Sequence, residues 1–198
     1  MNEEKIIVKD DLKPKGSYMR EILDYLEIFV VAVSCVLFLF TFCFRFCIVD
    51  GPSMENTLYN GERLFVSDLF YTPESGDIVV FHQSGGGYDK LLVKRVIAVE
   101  GETVHIEYGD DSMTVSITDS DGKSKGVIVE DYVKYVDIPL YTQPMTFEVE
   151  EGTVFVMGDN RNHSADSRSA SIGLVDKREI IGKVIFRMTP VTRFGSVY

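Results

Sequence analysis

Residues 28–44 carry no charged side chain, and beyond Arg45 the apolar run resumes with Phe46-Cys47-Ile48-Val49. Read as a helix rising about 1.5 Å per residue, such a stretch approaches the roughly 30 Å of a bilayer's hydrocarbon core. No other feature restricts the fold as tightly. Arg45 is compatible with this reading, because near a helix end its stem can stay in the apolar zone while the guanidinium reaches the interface. The run exceeds the apolar part of a cleavable leader, about 7–15 residues, and no small-x-small cleavage site follows it. The sequence therefore predicts an N-terminal segment over 1–27, a transmembrane helix over 28–49 and a body over 50–198. Lys5, Lys9, Lys13, Lys15 and Arg20 precede the span, whereas basic residues just beyond it are sparse, Arg45 and then Arg63. That bias predicts a cytoplasmic N-terminal segment and a body on the far side of the membrane. The chain up to Tyr18 is polar with little periodicity and reads as disordered.

A body of about 150 residues suffices for one buried core. All three cysteines, Cys35, Cys43 and Cys47, fall within the apolar run, so the body has neither a disulfide nor a thiolate metal site, and no cofactor is expected. A formal charge of −11 and a pI near 4.7 argue against a nucleic-acid partner, which requires a basic face.

Within the body, short segments rich in β-branched and aromatic residues alternate with turn signals. The predicted strands are 63–66, 77–81, 91–99, 103–106, 114–117, 127–129, 146–149, 154–157 and 181–187. Asn60-Gly61, Gly85-Gly86-Gly87 and Asp119-Ser120-Asp121-Gly122 punctuate them. No helix-period segments alternate with these strands, which predicts a mainly β body, an antiparallel barrel or folded sheet. Residues 108–144, rich in Asp, Ser and Gly, read as a solvated hairpin added to that core.

Three places carry candidate chemistry. Asp50-Gly51-Pro52-Ser53-Met54 sets a serine where the apolar run gives way to the body, and a serine hydroxyl becomes a good nucleophile only when a base takes its proton. His82, His105 and His163 are conventional bases, but each sits in a setting that suits a surface or turn residue. Lys94 stands inside Leu91-Leu92-Val93-Lys94-Arg95-Val96-Ile97-Ala98-Val99. An exposed lysine is neutral in only about one molecule in 2,500 at pH 7, so a basic role demands burial that lowers its pKa. The third place is the run Met157 to Arg168. It packs acids, arginines and hydroxyls more densely than a turn needs, as a network of charge-assisted hydrogen bonds fixing an active site would.

In this order behind one apolar span, the blocks resemble type I signal peptidases, membrane-bound serine proteases with a Ser/Lys dyad. The likeness runs from about Asp50 to Pro190 and rests on Ser53-Met54 with Thr57-Leu58, on Gly76-Asp77-Ile78-Val79, on Lys94-Arg95-Val96-Ile97 and on the Gly158 to Arg168 run. Gly182-Lys183-Val184 and Phe186-Arg187 fit as well. The single span and compact body look like the Gram-positive form. The resemblance implies a plasma-membrane enzyme that removes signal peptides from exported preproteins, cutting after small residues, with the bilayer and the preproteins as partners. It makes Ser53 the nucleophile, Lys94 the general base and Ser164 the serine that orients the lysine amine. Asp159, Arg161, Asp166 and Arg168 become braces of the site, with Arg95 pairing to Asp159. Met54, Leu58, Phe65 and Phe70 are candidates for substrate pockets or lipid contact. Two positions depart from the family pattern. Asn56 stands where proline is usual, and Gly51 stands where some members carry a hydroxyl donor to the oxyanion, which leaves the Ser53 backbone N–H for that task. The competing readings are a non-catalytic membrane-anchored β-domain that binds peptides or partner proteins, a self-cleaving Ser/Lys protease, and a Ser-His-Asp hydrolase using His163.

Overall fold

The computed structural model describes residues 15–85, 88–109, 112–133 and 143–198. The polar segment before residue 15, the Gly86-Gly87 turn and residues 134–142 of the expected hairpin lie outside them. The chain divides into two compact units, Met1–Phe42 and Cys43–Tyr198.

The first unit contains helix α1 (Lys15–Cys43). From Ser17 onward this stretch has neither glycine nor proline, so nothing interrupts its hydrogen-bond ladder. Successive residues Ile28, Phe29, Val30 and Val31 are all exposed, so no side of the helix is covered within its own unit. Arg20, Glu21, Asp24 and Glu27 charge its first half, and among the described residues no helix is long and apolar enough to cross a membrane.

The helix ends at Cys43, and the expected helical continuation to Val49 is replaced by a strand, β1 (Phe44–Ile48). Here the period changes to two. Cys47 and Val49 pack into the core while Phe46 and Ile48 face outward, and β1 pairs antiparallel with β2 (Arg63–Ser67), setting Phe46 opposite Phe65. Continuous apolarity conceals that switch, because helix and strand are equally hydrophobic across the junction.

The body is antiparallel β, as expected, and among the described residues it forms two sheets. The remaining strands are β3 (Ile78–Gly85), β4 (Tyr88–Val99), β5 (Thr103–Tyr108), β6 (Met113–Thr118), β7 (Ser124–Val127), β8 (Met145–Glu148), β9 (Thr153–Met157), β10 (Val175–Asp176) and β11 (Ile180–Thr189). The larger sheet runs β1-β2-β11-β3-β4-β9-β10 and the smaller β7-β6-β5-β8. In β5 and β6, Val104, Ile106, Val115 and Ile117 alternate with polar neighbours and bury themselves against Ile97, Phe155 and Met157 of the larger sheet, forming one core. A second core, with Leu64, Val66, Ile78, Val80 and Val184, closes around Met54 and Leu58. It thereby anchors the turn that carries Ser53. On β4, Lys94 lies opposite Val79 of β3, and pairing with β9 begins only at Arg95. The β4 backbone before Arg95 thus has a strand on one side only among the described residues.

Candidate active site

Residues 52–58 make a tight turn closed by Glu55 N–H to Pro52 O (3.0 Å) and by Thr57 and Leu58 N–H to Met54 O (3.1 and 2.7 Å). The buried side chains of Met54 and Leu58 pin it from below. Gly51 enters it at φ +94°, a backbone state that glycine adopts without strain, with its N–H on Asn60 Oδ1 at 2.9 Å. Asn56 has φ +89°, where the ring of proline could not sit, so this departure accompanies a local geometry of its own. The turn lifts Ser53 towards β4. Among the described residues its backbone N–H donates to no group.

Lys94 Nζ donates to Ser53 Oγ at 2.7 Å and to Val93 O at 3.0 Å. The lysine is 2% exposed. Burial pulls its pKa down from 10.5 to about 8, against the Asp166 and Asp159 carboxylates, which favour the charged form. About one amine in ten is then neutral at pH 7, some two hundred times the share of an exposed lysine. The histidines take no part in this contact. The His163 ring is exposed and meets Asn160 Oδ1 at 3.3 Å, His105 lies between Thr146 and Thr118, and His82 faces Glu179.

The loop after β9 grips the Ser53 turn through its backbone: Asn160 N–H donates to Ser53 O at 3.0 Å and Asn160 Nδ2 to Pro52 O at 3.1 Å. Gly158 sits at the crossing point. A Cβ there would fall 2.3 Å from Ser164 Oγ and 2.4 Å from Ser53 O. Ser164 Oγ is buried without a hydrogen bond among the described residues, yet close enough to Asp166 to help hold that carboxylate ionised. Burial works against an ionised Asp166. The Arg168 guanidinium (2.8 and 2.9 Å) and the Gly158 N–H (3.1 Å) outweigh it and keep its pKa below the usual range.

Asp159, fully buried, takes both arms of the expected Arg95 pair (2.8 and 2.7 Å) and the Thr57 hydroxyl at 2.5 Å. Arg95 also donates to Gly76 O at 2.9 Å. The structure thus brings Ser53, Lys94, Arg95, Asp159, Arg161, Ser164, Asp166 and Arg168 into one neighbourhood around Gly158.

Two of its members escaped the sequence. Arg161 donates through Nε to Gly158 O at 3.0 Å and forms a bidentate pair with Glu130, and the Tyr132 ring lies 4.0 Å from the Arg95 guanidinium. Glu130 and Tyr132, part of the expected solvated hairpin, therefore brace the site rather than facing solvent. No local signal marks Glu130, since its partner lies 31 residues away in sequence. Replacing Glu130 with alanine removes the bidentate carboxylate partner of the buried Arg161 guanidinium, and a loss of about 3–5 kcal/mol is expected in urea unfolding.

A cleft of about 500 Å³ opens onto Ser53 and Lys94, walled by residues 46–50 of the first strand and its exit, by Met54 and by Lys90 to Val93 of β4. Of the apolar candidates for its walls, Met54 alone lines it. Leu58 is core, Phe65 stacks on Phe186 at 4.8 Å, and Phe70, 98% exposed, borders a separate depression.

The family model described as signal peptidase, peptidase S26, matches residues 22–189. The probable signal peptidase I-1 of Synechocystis sp. is 35% identical over 193 residues, covering 93% of this chain and 91% of that protein. The signal peptidase I of Bacillus licheniformis is 34% identical, covering 85% and 89% respectively. A crystal structure of a signal peptidase I from Enterococcus faecalis V583 is 31% identical and covers 58% of this chain and 97% of its own, with a TM-score of 0.41.

Proposed function

This chain belongs to the signal peptidase family, peptidase S26, and we propose that in it Ser53 is the nucleophile and Lys94 the general base. The chain is a serine endopeptidase that removes signal peptides from preproteins. The single observation that carries the assignment of the dyad is the 2.7 Å contact between a buried amine and the Ser53 hydroxyl.

In this scheme neutral Lys94 takes the Ser53 proton as Oγ attacks the scissile carbonyl, and negative charge collects on the carbonyl oxygen near the Ser53 N–H. The Lys94 ammonium then returns its proton to the leaving amine, and an acyl-enzyme remains. Lys94, neutral again, takes a proton from water as that water attacks the ester, and the ammonium so formed protonates the departing Ser53 oxygen. Ser164, Asp159, Arg161, Asp166, Arg168 and Arg95 do not react. Their part is to hold the amine and the Ser53 turn in place. The open side of β4 invites an extended peptide, with short side chains such as alanine set against Cys47, Met54 and Val93 before the cut.

The catalytic rate carries a signature of the base. Because only the neutral amine acts, kcat/KM is expected to climb about tenfold per pH unit below about 8 and to level off above it. A flat profile between pH 6 and 8 would count against Lys94.

The anchoring of the enzyme is proposed from the sequence pattern alone. Residues 28–43 of α1 are free of charge and span about 24 Å, somewhat under the about 30 Å of a bilayer core, a mismatch that local thinning accommodates. In this reading the basic residues before it favour an N-terminus in the cytoplasm and a body outside. Resistance of the full-length protein to alkaline extraction from membranes tests the anchor.

The enzymatic test is incubation of the detergent-solubilised full-length protein with a model preprotein, reading the new N-terminus by mass spectrometry. Wild type is expected to cut after a small residue, and Ser53→Ala not at all. Retained cleavage by Ser53→Ala refutes the assignment.

A further inference from the structure

Beyond Thr189 the chain turns through the short 3-10 segment Val191–Arg193 and doubles back, so that Arg187 and Gly195 exchange backbone hydrogen bonds of 2.8 and 3.1 Å. This C-terminal strap grips the body at two places.

The first grip is on the turn that carries Ser53. Arg193 Nη2 and Arg187 Nη1 both donate to Thr57 O, at 3.2 and 3.0 Å. Glu62, 3% exposed, accepts from the same two guanidinium groups at 2.5 and 3.4 Å and fixes their planes. Arg187 Nε closes the cluster by donating to Arg193 O at 2.6 Å, and Arg193 stacks 4.4 Å from the Tyr59 ring. Thr57 also donates its hydroxyl to Asp159, so the turn is held between two charge clusters, one on its carbonyl and one on its side chain.

The second grip is on the strands beneath Lys94. The Tyr198 hydroxyl accepts from Ile78 N–H at 2.9 Å and donates to Val184 O at 3.1 Å. It thereby links β3 to β11 at the start of β3, where Ile78 lies opposite Arg95 and the next residue, Val79, opposite Lys94. Val197, buried, seats the strap beside it.

We infer that the C-terminal strap is a positioning device: through Arg193 and Tyr198 it ties the turn carrying Ser53 to the strand pair carrying Lys94 and keeps the two side chains within reach of proton transfer. The inference rests on the Ser53/Lys94 reading. Neither strap residue touches the reacting atoms, so their effect passes through the geometry of others. Misplacement by about 1 Å is enough to cost about 10²-fold in rate. Two arginines with a buried carboxylate, directed at one carbonyl of the nucleophile turn, form the kind of charge-assisted clamp that prevents it.

The test compares kcat, KM and the folded fraction from urea curves for the full-length protein on a model preprotein. Arg193→Ala is expected to lower kcat about 10–100-fold with KM within about twofold, Arg193→Lys to restore much of it, and Tyr198→Phe to lower kcat a few-fold. Thr192→Ala, on the exposed side of the strap, is expected to behave as wild type. Wild-type kcat per folded molecule in both Arg193→Ala and Tyr198→Phe, or a loss confined to KM, overturns the inference. Should Arg193→Ala not fold, Tyr198→Phe, which removes a single oxygen, decides by the same split. Ser53→Ala, measured alongside, separates the two failures: if it is inert while the strap variants are normal, the strap inference fails and the dyad stands, whereas cleavage by Ser53→Ala sinks the dyad itself.

Discussion

Lys94→Met is expected to lose preprotein cleavage by about 10⁴-fold or more and yet to unfold at a higher urea concentration than wild type at pH 7. Both effects have one origin. Burial that lowers the lysine pKa from 10.5 to about 8 is also a cost to the folded state whenever the amine is charged. A shift of that size corresponds to roughly 3 kcal/mol, and allowing about 1 kcal/mol for each of the lost hydrogen bonds, to Ser53 and to Val93 O, leaves a gain of about 1 kcal/mol. The pH window follows from the direction of the shift. Below about pH 8 the lysine is charged in folded and unfolded chains alike, and the folded state bears the whole penalty. Between about 8 and 10.5 the unfolded chain holds more protons than the folded one, so wild-type stability rises with pH. The advantage of methionine should therefore be largest below pH 8 and fade by pH 10.5. Paired urea titrations at pH 7 and pH 10.5 check it, and an equal advantage at both would mean that methionine simply packs better.

Gly158→Ala should be nearly as damaging without touching a reacting group. The new methyl would lie 2.3 Å from Ser164 Oγ, 2.6 Å from Ser164 Cβ and 2.4 Å from the Ser53 carbonyl oxygen. A flexible side chain can retreat from such a clash, but the Ser53 carbonyl is part of the backbone and is already fixed by the Asn160 N–H. Its movement carries Oγ away from Lys94. An overpacking cost of about 1–3 kcal/mol and a rate loss of about 10²-fold are expected. Gly158→Ala combined with Ser164→Gly relieves the two contacts made by Ser164 and leaves the third. The double variant should regain part of the stability, read by urea unfolding, while staying as inactive as the single one. Recovery of cleavage would place the obstruction at Ser164 instead.

The parts of this fold that the sequence discloses are those governed by neighbours along the chain. Alternation in Thr103 to Ile106 and Thr114 to Ile117 announces β5 and β6, and the apolar frame around Lys94 announces its burial. Ser53, Lys94 and the Gly158 to Arg168 run are legible in combination, because together and in this order they resemble a known family, whereas each alone also suits a solvated turn or an outward-facing residue. The strand at Phe44–Ile48 is hidden for the opposite reason: no turn residue separates it from the helix, and hydrophobicity alone does not distinguish the two. Glu130 and the Glu62 clamp are hidden because their partners are remote. Arg187 reaches Thr57 across 130 residues, and nothing in either neighbourhood encodes that meeting. Pattern reports which side of an element is wet or dry, whereas such pairings are consequences of topology.

The length of β4 that, among the described residues, has a strand on one side only bears on how many clients one such protease can serve. In the proposed strand addition, recognition would pass through main-chain amides and carbonyls, which every residue except proline offers in full. Affinity gained this way is blind to most of a passenger's identity, so a single groove suits a large and varied export traffic, and discrimination falls to the few side chains that must nestle beside the bond to be broken.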